Sequence, residues 1–176
     1  MYLSNGYPTL ENSYQTAIEY ADAGCRIMEV DFPSRNPYLE GQYIADRMAK
    51  ALEACDDYEK YMESMVKMKK LLPKVHFLVL AYENTVEEIG TEHFIEFCKE
   101  NDFKDVLLVG LKGETIKNQI IESGLKVSCY VQFHMLSEEI ESAKASNGFV
   151  YMQAKPNGNI NPDFPTLKDC IKHLRD

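Results

Sequence analysis

The chain has 176 residues, 45% of them apolar, and carries 28 acidic against 19 basic side chains for a net charge of −9. That length predicts one domain with room for a substantial core, and the acidic balance excludes nucleic acid and anionic membrane as natural partners, since both demand basic patches. No apolar run approaches the roughly 18 residues of a membrane span, and the opening MYLSNGYPT lacks the basic and apolar regions of a signal peptide, so a cytoplasmic protein is expected.

Short apolar strands alternate with longer amphipathic segments, the pattern of parallel α/β architecture. MYLSN reads as a first strand and GYPT as its turn. Leu10, Tyr14, Ala17, Ile18 and Ala21 then recur at helical spacing, with Gly24 placed to end that helix. RIMEVDF is a second strand, followed by the proline-punctuated loop PSRNPYLEG and a helix carrying Ile44, Met48, Ala51 and Leu52 on one face. Tyr61, Met65, Met68 and Leu72 mark another helix, which Pro73 closes. VHFLVLAY is apolar enough throughout for a strand buried on both faces.

From there the beat repeats about every twenty residues. Phe94, Ile95 and Cys98 lie on a helix, DVLLVG forms a strand, and Ile116, Ile120 and Ile121 lie on a helix. VSCYVQF is a strand, Ile140 and Ala143 mark a helix, GFVYMQA is the sixth strand, and Leu167, Cys170, Ile171 and Leu174 mark the last helix. A doubly wound open sheet and an incomplete barrel both fit six such units. No GxGxxG or GxxxxGK[ST] follows any strand, so no dinucleotide or P-loop site is predicted. The five cysteines include no CxxC pair and the four histidines no HxxxH. Reduced, mostly buried thiols are expected, with no metal site and no cofactor.

The loop after the second strand carries more specific information. Glu29-Val-Asp-Phe-Pro-Ser-Arg-Asn-Pro-Tyr-Leu-Glu40-Gly-Gln-Tyr-Ile44 resembles the signature E-L-G-x-P-F-S-D-P-x-A-D-G-P-x-I-Q of the tryptophan synthase α-chain family. Without a gap, Glu29, Pro33, Pro37, Gly41 and Ile44 fall on matching positions, and Glu40 falls on the family's aspartate. YADAGCRIMEV is similar to the family's EAGAD-x-x-E-L, YLSNGYP to its first-strand F-V-T-x-G-D-P, and Tyr82 and Asn84 to its M-x-Y-x-N. GFVY, ending at Tyr151, resembles the G-F-x-Y of the sixth strand, which lines the family's substrate pocket.

The resemblance implies a TIM-type (β/α)₈ barrel, here incomplete, with about six βα units in a single partial domain over residues 1–176. An arc of parallel strands with helices only on its outer face is then expected. The activity implied is retro-aldol cleavage of indole-3-glycerol phosphate to indole and glyceraldehyde 3-phosphate. Glu29 would shuttle protons and Glu40 would accept the indole N–H, two carboxyls dividing the work through their environments. Tyr82, Tyr151 and Gly158 would contact the phosphorylated indole substrate, and a β-like chain would be the natural partner.

Four departures bear on activity. Asp31, Arg35 and Asn36 change the charge of the signature loop, and VGLKGE replaces the family's acidic x-x-D-x-P-x-E after the fourth strand. AKPNGNIN replaces S-x-x-G-V-T-G after the sixth strand, retaining Gly158 but placing Ile160 and Asn161 where the threonine and its neighbour stand. The sequence stops at Asp176, short of the last two units, whose loops usually hold phosphate in such barrels. Weak activity from this chain alone is therefore expected. The rival reading is a catalytically silent barrel that binds a small molecule or a partner chain. Another barrel enzyme acting on a phosphorylated metabolite is a weaker third.

Overall fold

The computed structural model describes residues 1–110 and 114–175. Eight helices and six strands are described: β1 (Tyr2–Leu3), α1 (Leu10–Asp22), β2 (Ile27–Asp31), α2 (Gln42–Ala54), α3 (Tyr58–Leu71), β3 (His76–Tyr82), α4 (Glu83–Ile89), α5 (Thr91–Glu100), β4 (Asp105–Val109), α6 (Thr115–Glu122), β5 (Lys126–Val131), α7 (Ser137–Lys144), β6 (Val150–Met152) and α8 (Leu167–Arg175). Every strand pairs in parallel with its predecessor, and the spatial order is the chain order, β1 to β6. The sheet curls without closing and forms the arc of an incomplete (β/α)₈-type barrel.

Strand alternation builds two apolar layers. Leu3, Met28, Val30, Phe77, Val79, Val106, Val127 and Cys129 face the helices and join Tyr61, Met65, Phe94 and Ile120 in the main core. Leu78, Leu80, Tyr82, Leu107 and Val109 face the concave side and form a smaller cluster. This is why the third strand reads as continuously apolar: β3 is buried on both faces.

Helix boundaries have local causes. Thr9 caps α1 by accepting the Asn12 N–H at 3.2 Å, and Asp57 caps α3 by accepting that of Glu59 at 3.0 Å. Gly24, at φ +97°, turns the chain out of α1 as its position foretells. Two elements differ from expectation. The short helix α4 follows β3 directly, where the sequence shows no helical period. α2 does not stay in the outer layer: Ile44 and Met48 pack on the concave cluster, while Ala51 joins the main core. α2 thus sits over the mouth, its Ile44–Met48 end on the open sheet face and Ala51 turned to the main core.

Candidate functional site

β2 alternates Met28 and Val30 into the helical core, which sets Ile27, Glu29 and Asp31 on the concave face. Parallel register places Tyr2 of β1 opposite Glu29. The loop after β2 then returns Glu40 to the same mouth. It is held at several points: Ser34 Oγ accepts from Asn84 Nδ2 at 3.0 Å, and the Pro33 carbonyl accepts from the Tyr58 hydroxyl at 3.1 Å. Arg35 pairs with Glu88 at 3.1 Å and also with Asp56, tying the loop to α4 and the α2–α3 connection. A turn closed by the Glu40 N–H on the Pro37 carbonyl, at 3.0 Å, sets the Glu40 backbone just before α2.

Glu29 and Glu40 line one cavity of about 210 Å³. Tyr2, Tyr130 and Tyr151 form its aromatic walls, and Leu39, Ile44, Leu80, Leu107 and Val109 supply the apolar surface. The Tyr130 and Tyr151 rings lie 6.0 Å apart. A void of about 150 Å³ holds one benzene, so this cavity suits one small fused aromatic ring. A longer polar tail would extend out of it. Among the described residues no basic side chain lines the cavity.

Electrostatics follow from that enclosure. Burial holds the Glu29 carboxyl above the usual carboxylate range; a hydrogen bond from Tyr151 works against the shift and the nearby Glu40 charge adds to it. Burial likewise raises Glu40, opposed by the Tyr82 hydroxyl, which donates to Oε1 at 3.5 Å. Asp31 is fully buried, and desolvation pushes its carboxyl up to about 7 despite hydrogen bonds from Tyr2 and the Asn5 N–H. Acids with raised pKa in an apolar cleft can deliver protons near neutral pH.

Of the residues singled out by sequence, Glu29, Glu40 and Tyr151 come together around the cavity. Tyr82 stands behind Glu40, buried, reaching the cavity through that carboxylate. Gly158 lies exposed in the loop after β6, at φ +95°, and does not line the cavity. Asn161 bonds the His134 carbonyl at 3.2 Å and so joins the loops after β5 and β6. Half of the VGLKGE departure, Leu111 to Gly113, lies outside the described residues. Sequence reasoning missed Tyr2, Tyr130 and the role of Asp31. Period-two spacing from Glu29 would have found Asp31, but finding Tyr2 requires the β1–β2 register. A larger groove of about 740 Å³ between α1, α3 and α5 lies on the helical side, away from the strand ends where barrel sites form. Among the described residues no helix is long and apolar enough to cross a membrane.

Comparison with known proteins is consistent across sequence and structure. The family model described as tryptophan synthase alpha chain matches residues 1–175. The tryptophan synthase alpha chain of Flavobacterium psychrophilum is 23% identical over 157 residues, covering 86% of this chain and 62% of the relative. That of Caldicellulosiruptor bescii is 28% identical over 156 residues, covering 85% of this chain and 58% of the relative. A structure of Mycobacterium tuberculosis tryptophan synthase superposes with a TM-score of 0.74 at 23% identity, over 86% of this chain and 60% of the other. A mutant tryptophan synthase alpha-subunit from Pyrococcus furiosus gives 0.74 at 18% identity, over 86% and 63%. These likenesses show the same fold, and the chain spans about six-tenths of the length of these relatives.

Proposed function

Since the chain belongs to the tryptophan synthase alpha chain family, we propose that it is a carbon–carbon lyase of tryptophan biosynthesis, cleaving indole-3-glycerol phosphate to indole and glyceraldehyde 3-phosphate. The observation that supports this most directly is the meeting of Glu29 and Glu40 in one small aromatic-walled cavity at the C-terminal mouth of the sheet. Glu29, its proton affinity raised by burial, delivers a proton to indole C3. Glu40 accepts the indole N–H and offsets the positive charge that develops there. Tyr151 orients Glu29, Tyr82 orients Glu40, and Gly158, exposed on the loop after β6 and outside the cavity lining, offers its amide to the phosphate. The reaction consists of proton transfers and one C–C scission, so it calls for no cofactor.

Residues 1–176 act in this reading as one partial-barrel domain, working in the cytoplasm, where five unpaired cysteines remain reduced. A β-like chain is its partner, seated on the mouth that α2 crosses. Turnover by the 176-residue stretch alone is weak, because among the described residues no cation lines the cavity to hold a phosphate. The test is indole release from indole-3-glycerol phosphate by the purified chain, beside Glu29→Gln. Slow release that Glu29→Gln abolishes supports the reading. Binding of indole with no release at any concentration overturns it in favour of a silent binding protein.

A further inference from the structure

We propose that Tyr2 and Asp31 form a proton relay opening on the cavity, which takes the proton of the substrate's side-chain hydroxyl during cleavage. The identity of the substrate rests on the reading above; the relay rests on geometry. Cleavage asks for a proton to be given at ring carbon and another to be taken from a hydroxyl, at two separate atoms. Glu29, whose proton affinity burial raises, is suited to the first task, and a separate base suits the second.

Tyr2 lines the cavity and sits opposite Glu29 in the β1–β2 register. Its O–H donates to Asp31 Oδ2 at 2.5 Å, and the other carboxylate oxygen accepts the Asn5 N–H at 2.6 Å. With its proton directed at Asp31, the phenol oxygen is left as an acceptor. The Ser4 hydroxyl donates to it at 3.3 Å, which leaves capacity for one donor from a ligand. Asp31 is itself closed to solvent, so Tyr2 is its connection to the cavity.

The transfer balances. The substrate O–H bond breaks and its proton goes to the Tyr2 oxygen, while the original Tyr2 proton passes to Asp31. The electron pair of the broken O–H becomes the new C=O bond, and the pair of the severed C–C bond returns to the ring that Glu29 protonated. Between turnovers, protons return from Asp31 to Glu29 through Tyr2 and solvent. The groups facing Asp31 are Tyr2 and Asn5, Glu29 on its own strand, Glu40 from the signature loop and Tyr61 from α3. Burial and the two glutamates keep its proton affinity near neutrality, where a base is most effective.

A buried aspartate that merely fastens β1 to β2 would behave differently. Tyr2→Phe keeps the ring and removes the transferring oxygen; Asp31→Asn keeps the shape and removes the base. Each is expected to lower kcat for indole release by about 10²-fold with little change in KM, and to erase an inflection near neutral pH in the kcat profile. Variants with wild-type kcat and an unchanged profile would overturn the relay while leaving the lyase reading intact. Should the wild-type chain release no indole, the lyase reading fails, and the relay is judged by ¹³C NMR titration of the Asp31 carboxyl with indole as the probe. The relay then predicts an inflection near neutrality that moves by about half a unit or more on indole addition and on Tyr2→Phe. A carboxyl indifferent to both would overturn it.

Discussion

Asp31 binds its proton more tightly in the folded chain than a free aspartate does, because desolvation outweighs the hydrogen bonds of Tyr2 and Asn5 and brings the carboxyl to about 7. A raised folded-state pKa means that the native state binds more protons than the unfolded one. Its contribution to stability is complete below about pH 4 and is lost as pH rises through about 7. Asp31→Asn, which cannot ionise, is therefore expected to melt above wild type at pH 8, with the gap closing at pH 4; thermal unfolding at both pH values measures it. Glu29 and Glu40 are shifted in the same direction by burial, so the whole cavity favours mildly acidic conditions for stability. Glu29→Gln should leave the fold intact by circular dichroism and lower indole release by about 10²-fold or more, as loss of a positioned proton donor does.

At the level of elements, two contacts position the mouth. Gly148 precedes β6 and runs so close to β5 that an added Cβ would stand 2.4 Å from the Val127 carbonyl and 2.5 Å from Ser128 Oγ. Gly148→Ala should therefore push β6 away and carry Tyr151 with it, costing roughly 1–3 kcal/mol of stability by denaturant unfolding. Met48 is the buried anchor of α2 on the concave face. Met48→Ala is expected to cost about 2–5 kcal/mol and to loosen the Glu40 loop, read as faster amide exchange at residues 38–44. The legibility of these elements differs for physical reasons. β3 and the Met65–Met68 face of α3 are visible in the sequence because burial on both faces, or on one helical stripe, leaves a run or a period. α4 is not: ENTVEEI is short and polar, and it turns Glu83 and Asn84 inward rather than an apolar stripe. Glu29 and Glu40 were legible through a gapless local motif, whereas Tyr2 and Asp31 meet only through strand register, which no single segment encodes. The crossing of α2 over the mouth depended likewise on tertiary packing.

At the scale of the described chain, the outermost strands of the sheet are β1 and β6, with Phe149, Val150 and Ile160 exposed near the second. Exposed apolar side chains beside an open strand favour association. Val150→Lys should reduce concentration-dependent self-association in sedimentation velocity without altering the melting temperature by more than about 2 °C, a surface-sized effect. The strand order has a further consequence, for the time course of folding. Because neighbours in space are neighbours in sequence, each strand leaving the ribosome meets its partner already made, and assembly can proceed vectorially during synthesis. The widest closure is the one from β2 to β3, which must bring Ile27 beside His76 and Asp31 beside Leu80 across α2 and α3. Loop closure must come before the contacts that reward it, so the docking of α3 is the natural kinetic bottleneck. Pulse-labelled hydrogen exchange during refolding should show β3 and β4 protected before β1. A Met65→Ala variant should then slow the late protection of β1 and β2 while leaving the early phase unchanged.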